Sequence, residues 1–169
     1  TMPNTQEIAG SCSSVTDVVG PKSPSVAVVI TTYNHAHFLG EAIESVWAQT
    51  QPVAELLVVD DGSVDDPAAV VARYAGVRLI QQPNQGLAAA RNMGMQAVHS
   101  EKVIFLDADD RLLPTAVAAG RECFAGAPAA GFVYGGHRRI DRDGRSLGGN
   151  IYHPIGPEAY RDLLRGNPI

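Results

Sequence analysis

The sequence predicts an α/β fold in which a mainly parallel sheet is flanked by helices and followed by a C-terminal hairpin. Short apolar runs rich in Val, Ile and Leu occur four times between residues 26 and 106, and a segment with helical periodicity follows each run. In the first two runs the absence of polar alternation indicates strands covered on both faces. Strands that alternate with helices in this way are typical of right-handed βαβ units.

The predicted elements follow one another at regular spacing. The strands are expected at 26–30, 56–59, 77–80 and 103–106, and the helices at 38–49, 67–74, 87–99 and 114–124. The second helix has the clearest start, with Asp66 as the N-cap and Pro67 in the first turn. Both residue types are favoured at those positions.

The pattern changes after the fourth helix. Residues 131–140 are predicted to form a strand, 141–144 a tight turn and 145–152 a return strand. Asp and Gly residues favour such a turn, which gives the C-terminal hairpin. A short helix is expected at 157–165.

Length, charge and cysteine content limit the class of protein. A Ser-, Thr-, Pro- and Gly-rich stretch, residues 1–24, is predicted to be a flexible tail, and residues 25–169 one domain. The net charge of −5 argues against nucleic acid as a partner, because such binding needs a basic face. No apolar run is long enough for a transmembrane segment, and no secretory signal is found. Cys12 and Cys123 lack metal-ligand spacing and are expected to be free thiols, so we expect a soluble cytoplasmic protein.

Polar residues follow each predicted strand where it ends. In an open parallel sheet, ligands bind beyond these carboxyl ends. The converging carboxylates are those of Asp60, Asp61, Asp107, Asp109 and Asp110. Like charges at short range repel and raise one another's pKa, so a bound cation would relieve the crowding.

Asp107 and Asp109 are the strongest candidates for a metal site. Residues i and i+2 of an extended segment project to the same side, so both carboxylates are expected to face one ion. Mg²⁺ and Mn²⁺ prefer oxygen ligands and keep positions open for phosphates. Spacing alone is weak support, because Asp also favours caps and turns, and Asp141 and Asp143 have the same spacing before Gly144 in the predicted hairpin turn.

Four segments occur in a characteristic order: Val28–Asn34, Val58–Ser63, Asn84–Asn92 and Phe105–Asp110. Together they resemble the glycosyltransferase 2 family, which has the Rossmann-like GT-A fold, over about residues 26 to 140. The resemblance implies an inverting hexosyltransferase of cell-envelope polysaccharide assembly. Such an enzyme moves a sugar from a nucleoside diphosphate donor to a hydroxyl acceptor on a glycan or lipid-linked molecule, and Mn²⁺ or Mg²⁺ assists.

The same resemblance implies roles for individual residues. Thr31 and Tyr33 would contact the nucleoside, with Tyr33 stacking near the base. Asp61 would accept a hydrogen bond from a uracil-type N–H, which favours a UDP-linked donor, and Arg91 would face the nucleotide or its phosphates. The alternatives are a rim position for Tyr33 and a solvated surface charge for Arg91. Either Asp60 or Asp61 could cap the turn that follows the second predicted strand, and we expect Asp60 to cap it and Asp61 to bind.

The metal pair also takes its roles from the resemblance. Asp109 would be the direct metal ligand, and Asp107 would lie nearer the ribose or the metal. His35 and His37 are not favoured as ligands, because a hard cation prefers oxygen to imidazole. His137, Arg138 and Arg139 follow a predicted strand and could reach the donor or the acceptor, but a solvated edge is the expectation for them.

Two other classes of fold fit less well. A phosphoacceptor receiver domain has a similar acidic pocket that binds Mg²⁺, but it needs a later Lys, and no Lys follows Lys102. It also begins at the acidic strand, whereas here a full βα unit precedes that strand. A dinucleotide-binding domain needs a glycine-rich phosphate loop after the first strand, and this loop is absent.

No catalytic base is identifiable from the sequence. The family's base is a carboxylate in a later acidic motif, often followed by a Gln-Arg-Trp type motif, and neither motif is found. We expect the base beyond Ile169. The alternative is a truncated or non-catalytic module that binds the nucleotide sugar without turnover. Apolar surface left uncovered by a missing segment would favour self-association. The sugar and the acceptor stay open.

Overall fold

The computed structural model describes residues 24–152. The predicted helix at 157–165 and nearly all of the predicted tail lie outside these residues. In the described part, strands and helices alternate as β1 (Val26–Thr32), α1 (Ala36–Trp47), β2 (Glu55–Asp60), α2 (Pro67–Val71), β3 (Val77–Gln81), α3 (Leu87–Ala97), β4 (Lys102–Asp107) and α4 (Ala116–Gly126). None of these helices is long and apolar enough to cross a membrane. Cys123 on α4 is an exposed free thiol, and Cys12 lies outside the described residues.

The strands form one parallel sheet in the order β3-β2-β1-β4. β1 lies in the interior of the sheet, and its register pairs Thr32 with Asp60 of β2 and Thr31 with Asp107 of β4. The α/β fold with a parallel sheet is therefore confirmed, and the ends of the three strands that carry acidic residues lie side by side.

The core has one apolar layer on each face of the sheet. Val28 and Ile30 of β1 pack with Leu39 and Ile43 of α1, whereas Val29 packs on the other face in a layer with Ala90 of α3. β1 is buried along its whole length, and so are five of the six residues of β2. The prediction that these two strands are covered on both faces is confirmed.

The two outer strands, β3 and β4, are less buried, because in the described part of the chain each pairs with one other strand. β3 has no fully buried residue, and in β4 only Leu106 is buried. The Phe105 side chain on β4 is among the exposed large apolar groups. Exposed apolar surface favours association with a second copy of the chain, and self-association stays a prediction.

The start of α2 is as predicted, but its end is not. The Asp66 carboxylate accepts a hydrogen bond from the Ala69 N–H at 3.1 Å, and Pro67 occupies the first turn. The helix ends at Val71 rather than at Tyr74. Beyond it the N–H of Tyr74 donates to the carbonyl of Val71, a tighter spacing of three residues that does not continue an α-helix.

The C-terminal hairpin has its predicted turn but not its predicted strands. The Gly144 N–H donates to the Asp141 carbonyl at 2.9 Å, and Gly144 has a φ of 78°, which glycine adopts without strain. In place of two continuous strands there are two isolated antiparallel bridges, which pair His137 with Ile151 and Ile140 with Ser146. The two bridges differ in register, so no continuous ladder joins them. Several glycines in these segments also weaken strand formation.

The close packing of α3 on β1 gives a test of the fold. A Cβ added at Gly94 would lie 2.3 Å from the Val29 Cγ1 atom. We expect Gly94→Ala to lower the free energy of unfolding by about 1–3 kcal/mol, because the overpacked core must shift. Denaturant unfolding monitored by circular dichroism measures this change.

Gly120 on α4 is the matched control, since a Cβ there would meet nothing within 4 Å. Gly120→Ala is expected to raise the free energy of unfolding by up to about 1 kcal/mol through helix propensity. An equal, stabilising effect of both substitutions would contradict the packing described for α3.

Candidate functional site

The carboxyl ends of the strands form a polar edge, as the sequence predicts. Parallel hydrogen bonding continues past the strands. The Asp61 N–H donates to the Thr32 carbonyl at 2.9 Å, and the Ala108 N–H donates to the Thr31 carbonyl at 3.0 Å. The segments after β1, β2 and β4 are therefore held next to one another.

Asp107 lies at the centre of a hydrogen-bonded cluster. The Thr31 hydroxyl donates to Oδ1 of Asp107 at 3.0 Å, and Nη2 of Arg91 donates to both carboxylate oxygens at 2.9 and 3.2 Å. Thr31 is buried, whereas the side chains of Arg91 and Asp107 are 39% and 37% exposed. The structure thus brings together three of the predicted site residues. Arg91 is paired at the site instead of extending freely into solvent.

Asp109 follows in a turn. β4 ends at Asp107, and the Asp110 N–H donates back to the Asp107 carbonyl at 3.0 Å. The expectation that Asp107 and Asp109 share an extended segment is wrong, because a turn begins at Ala108, whose N–H still bonds to β1 and whose side chain is buried in the core. The Asp109 carboxylate stays open to solvent, with its side chain 47% exposed and its Oδ1 3.8 Å from Nδ1 of His35.

The acidic edge also affects Asp110. Partial loss of hydration, followed by the negative charges of Asp109 and Asp107, raises the pKa of the Asp110 carboxyl above its ordinary value, and His137 opposes this rise. The carboxylates of Asp107, Asp109 and Asp110 are therefore close enough for their charges to interact at the end of β4.

Asp107 and Asp109 offer carboxylate oxygens, which are the ligands that a hard cation prefers. Within residues 24–152, no group of three or more His, Cys, Asp or Glu side chains is arranged to hold a metal ion. Asp109 offers an open carboxylate, and Asp107 already has Arg91 as its counter-charge. A hard cation here would take its remaining oxygen ligands from water or from a bound phosphate.

Asp60 and Asp61 have different roles. Asp60 caps the turn as predicted, since its Oδ1 accepts the Ser63 N–H at 2.9 Å. Its Oδ2 accepts from the Gln81 side chain at 3.1 Å. Gly62 allows this turn with a φ of 81°, and a Cβ there would lie 2.8 Å from the backbone nitrogen of Asn84. The loops after β2 and β3 are therefore tightly packed.

Asp61 holds the segment that leads into α3. Its Oδ1 accepts from the Gln82 side chain at 2.7 Å and from the Gln85 N–H at 2.9 Å, and its Oδ2 accepts the Gly86 N–H at 2.8 Å. Burial acts to raise the pKa of the Asp61 carboxyl, but these hydrogen bonds outweigh it and the pKa lies below its ordinary value. Sequence reasoning missed these hydrogen bonds, because only the polar character of the residues after β3 points to them.

Tyr33 lies at the rim of the edge, 49% exposed, on the loop between β1 and α1. The next residue, Asn34, has a φ of 57° and ties this loop to the one after β2, because its N–H donates to the Ser63 hydroxyl at 2.9 Å. Asp65 accepts the Ala36 N–H at 2.8 Å and so caps α1 from another loop. Sequence reasoning missed this cap, since no signal near Ala36 points to a residue so distant in the chain.

These features define the class of protein, a GT-A type domain with an acidic edge beyond its parallel strands. The family model for glycosyl transferase family 2 matches residues 27–166. The chain belongs to this family. The predicted family and fold are confirmed.

Related proteins are named as glycosyltransferases or synthases. The chain is 37% identical over 114 residues to an uncharacterized glycosyltransferase of Nostoc sp., covering 64% of this chain and 35% of the relative. It is 32% identical over 136 residues to chondroitin synthase of Escherichia coli, covering 78% of this chain and 20% of the relative. The chain thus spans only about a third or less of the length of these relatives.

Solved structures share the fold. TarS of S. aureus, residues 1–349 in complex with UDP, superposes with a TM-score of 0.56 at 26% identity, covering 60% of this chain and 32% of that one. The mannosyltransferase PcManGT of Pyrobaculum calidifontis, in complex with GDP-Man and Mn²⁺, gives a TM-score of 0.51 at 30% identity, covering 57% and 30%.

The hydrogen bonds of Asp61 lead to a prediction about stability. Asp61→Asn replaces one acceptor oxygen by an NH₂ donor that faces other N–H donors, so we expect a loss of about 1–3 kcal/mol at pH 7. A carboxylate with a lowered folded pKa stabilises the fold above its unfolded pKa, about 3.9 for Asp, and loses this contribution as pH falls through the folded pKa. The difference between wild type and variant should therefore shrink below about pH 3.9. Urea unfolding at a series of pH values measures it.

Asp65→Asn is the matched control, because Asp65 accepts one hydrogen bond and an amide oxygen can replace that acceptor. A loss at pH 7 as large for Asp65→Asn as for Asp61→Asn would contradict the role given to Asp61.

Proposed function

We propose that this chain is the donor-binding part of an inverting glycosyltransferase, which moves a sugar from a UDP-linked donor to a hydroxyl acceptor with the help of Mn²⁺ or Mg²⁺. The observation that carries the proposal is the cluster of Thr31, Arg91 and Asp107 beside the open carboxylate of Asp109. These residues bring a fixed acid, a guanidinium and an accessible carboxylate to one edge of the sheet.

Arg91 is suited to the diphosphate of the donor. The side chain of Arg91 is 39% exposed, although its Nε atom is buried without a hydrogen-bond partner among the described residues. A guanidinium recognises phosphate oxygens by charge and by directed N–H groups. With Asp107 holding one side of the guanidinium, Arg91 is oriented before the ligand arrives.

Asp109 is the proposed metal ligand, and Asp107 lies nearer the ribose or the metal. Two carboxylates leave most of the coordination positions of a hard cation for phosphate oxygens and water. When bound, such a cation neutralises the charge that develops on the departing diphosphate. The Mn²⁺ bound with GDP-Man in the mannosyltransferase of Pyrobaculum calidifontis supports this assignment.

Tyr33 and Asp61 are the proposed nucleoside contacts. Tyr33 presents a half-exposed ring for stacking near the base. The Oδ2 atom of Asp61 accepts one hydrogen bond, from Gly86, and a carboxylate oxygen has a second lone pair for a uracil N–H. The UDP and UDP-GlcNAc complexes of TarS support a uridine donor.

Inversion requires a single in-line displacement, in which a base takes the proton of the acceptor hydroxyl while the diphosphate leaves. The position of this base, turnover by this chain and a cytoplasmic location all stay predictions.

Thermal unfolding with nucleotides tests the donor site. UDP at about a hundred times its dissociation constant should stabilise the chain by about 2.7 kcal/mol, which raises the Tm by several degrees. We expect this shift with UDP and Mn²⁺, and a much smaller one with GDP, CDP or dTDP, or with EDTA. Asp109→Ala should remove the part of the shift that depends on Mn²⁺.

Asp143→Ala is the matched control. Asp143 belongs to the second Asp-x-Asp sequence, in the hairpin turn, where its carboxylate pairs with Arg145 at 3.4 Å. It should leave the shift unchanged. Equal losses in both variants, or a full shift in EDTA, would contradict the assignment of Asp109.

A further inference from the structure

A cleft of about 190 Å³ lies beside Asp109, between α1 and the C-terminal hairpin. We call it the hairpin cleft. Its lining residues are Phe38, Glu41, Ala108, Asp109, Asp110, Arg111, Ile140, Asp141 and Arg142. It shares Asp109 with the proposed donor site, so a molecule in this cleft lies next to the position where the donor sugar would be held.

The hairpin is fixed against the segment that follows β4. Arg111 forms an ion pair with Glu41 of α1. The turn of the hairpin packs on the same guanidinium, because a Cβ added at Gly144 would lie 2.8 Å from Nη1 of Arg111. The cleft is therefore built by contacts across three parts of the chain.

The hairpin carries a concentration of positive charge that the fold does not use. The side chains of Arg138, Arg139 and Arg142 are exposed, and no ion pair or hydrogen bond joins them to another described residue. Arg145 differs, because it lies 3.4 Å from the Asp143 carboxylate. The chain as a whole has a net charge of −5, so these unpaired arginines stand out from their surroundings.

Two of the four acidic groups that line the cleft are already engaged. Glu41 is paired with Arg111. The Asp141 carboxylate accepts the N–H groups of Asp143 and Arg145 at 2.9 and 2.8 Å, which holds the turn. The other two, Asp109 and Asp110, are exposed at the end where the proposed metal would bind. Arg142 therefore lines the cleft with an exposed guanidinium that no described carboxylate pairs with.

We infer that the hairpin cleft receives the acceptor and that Arg142 binds an anionic group of that acceptor, a carboxylate or a phosphate, while Arg138 and Arg139 add positive charge to the same hairpin. This inference rests on the proposed function, since it needs the donor sugar at Asp109. Arginine binds both kinds of anion through paired N–H groups. Phe38 and Ile140 provide apolar surface for a sugar ring. The substrate class is therefore an anionic glycan, or a glycan linked through phosphate.

A concave site next to acidic residues favours such an acceptor over an anionic membrane surface. Asp109 and Asp110 are exposed beside the cleft and would repel a flat sheet of negative headgroups. A chain that enters the cleft can place its anion at Arg142 and its hydroxyl near Asp109.

Binding to defined oligomers tests this inference with the chain as it is. The probes are an oligosaccharide containing glucuronate, an oligomer joined by phosphodiesters and neutral cellotetraose, titrated calorimetrically in the presence of UDP and Mn²⁺. We expect one or both anionic probes to bind about tenfold more tightly than cellotetraose, and Arg142→Gln to remove most of this difference. The better of the two anionic probes distinguishes a carboxylate from a phosphate.

Arg145→Gln is the matched control in the same hairpin and should change the affinity by less than about twofold, as expected for an exposed charge pair. UDP should bind all three proteins equally. The inference is overturned if UDP binds but the anionic and neutral probes bind alike, or if both Arg variants lose the same affinity. Binding of phosphatidylglycerol vesicles through Arg142, with no binding of either oligomer, would also overturn it. Failure of UDP itself to bind would instead contradict the proposed donor site.

Discussion

The parallel register between β1 and β4 is the constraint on which the site depends. It sets Thr31 directly opposite Asp107, and both side chains then face α3, from which Arg91 reaches the same carboxylate. A slip of one residue would turn Asp107 to the other face of the sheet. Leu106, the neighbour of Asp107, is buried in the core layer on that other face and opposes such a slip, because the slip would exchange it with the charged Asp107. Core packing thus determines the geometry of a polar cluster at the end of the sheet.

Tight packing around the edge fixes the remaining groups. Gly94 lets α3 approach β1, which brings Arg91 within reach of Asp107. The buried Asp61 carboxylate organises the start of α3 through the Gln85 and Gly86 N–H groups. Asp109, by contrast, lies in a turn and keeps an open carboxylate. The edge therefore combines side chains held in place before binding with one that is left available to a ligand, as expected where a metal and a diphosphate complete the site.

The sequence predicted the sheet, its polar edge and the order of the helices, because periodicity and strand-end residues are local signals. It also predicted that Asp60 caps its turn. It failed where distant parts of the chain decide the outcome. The turn after Asp107 depends on where pairing with β1 stops, the cap of Asp65 on α1 joins two loops, and the irregular bridge at His137 depends on register across the hairpin. No local pattern encodes those contacts.

We propose that Asp109 holds the metal of a nucleotide complex at this edge while Arg91 and Asp107 stay paired beside it. A crystal structure of the chain with UDP and Mn²⁺, with the ion located by its anomalous scattering, tests this proposal. We expect one Mn²⁺ coordinated by the Asp109 carboxylate and the diphosphate, with the uracil between Tyr33 and Asp61. An ion bound away from Asp109, or UDP bound at another surface, would contradict it.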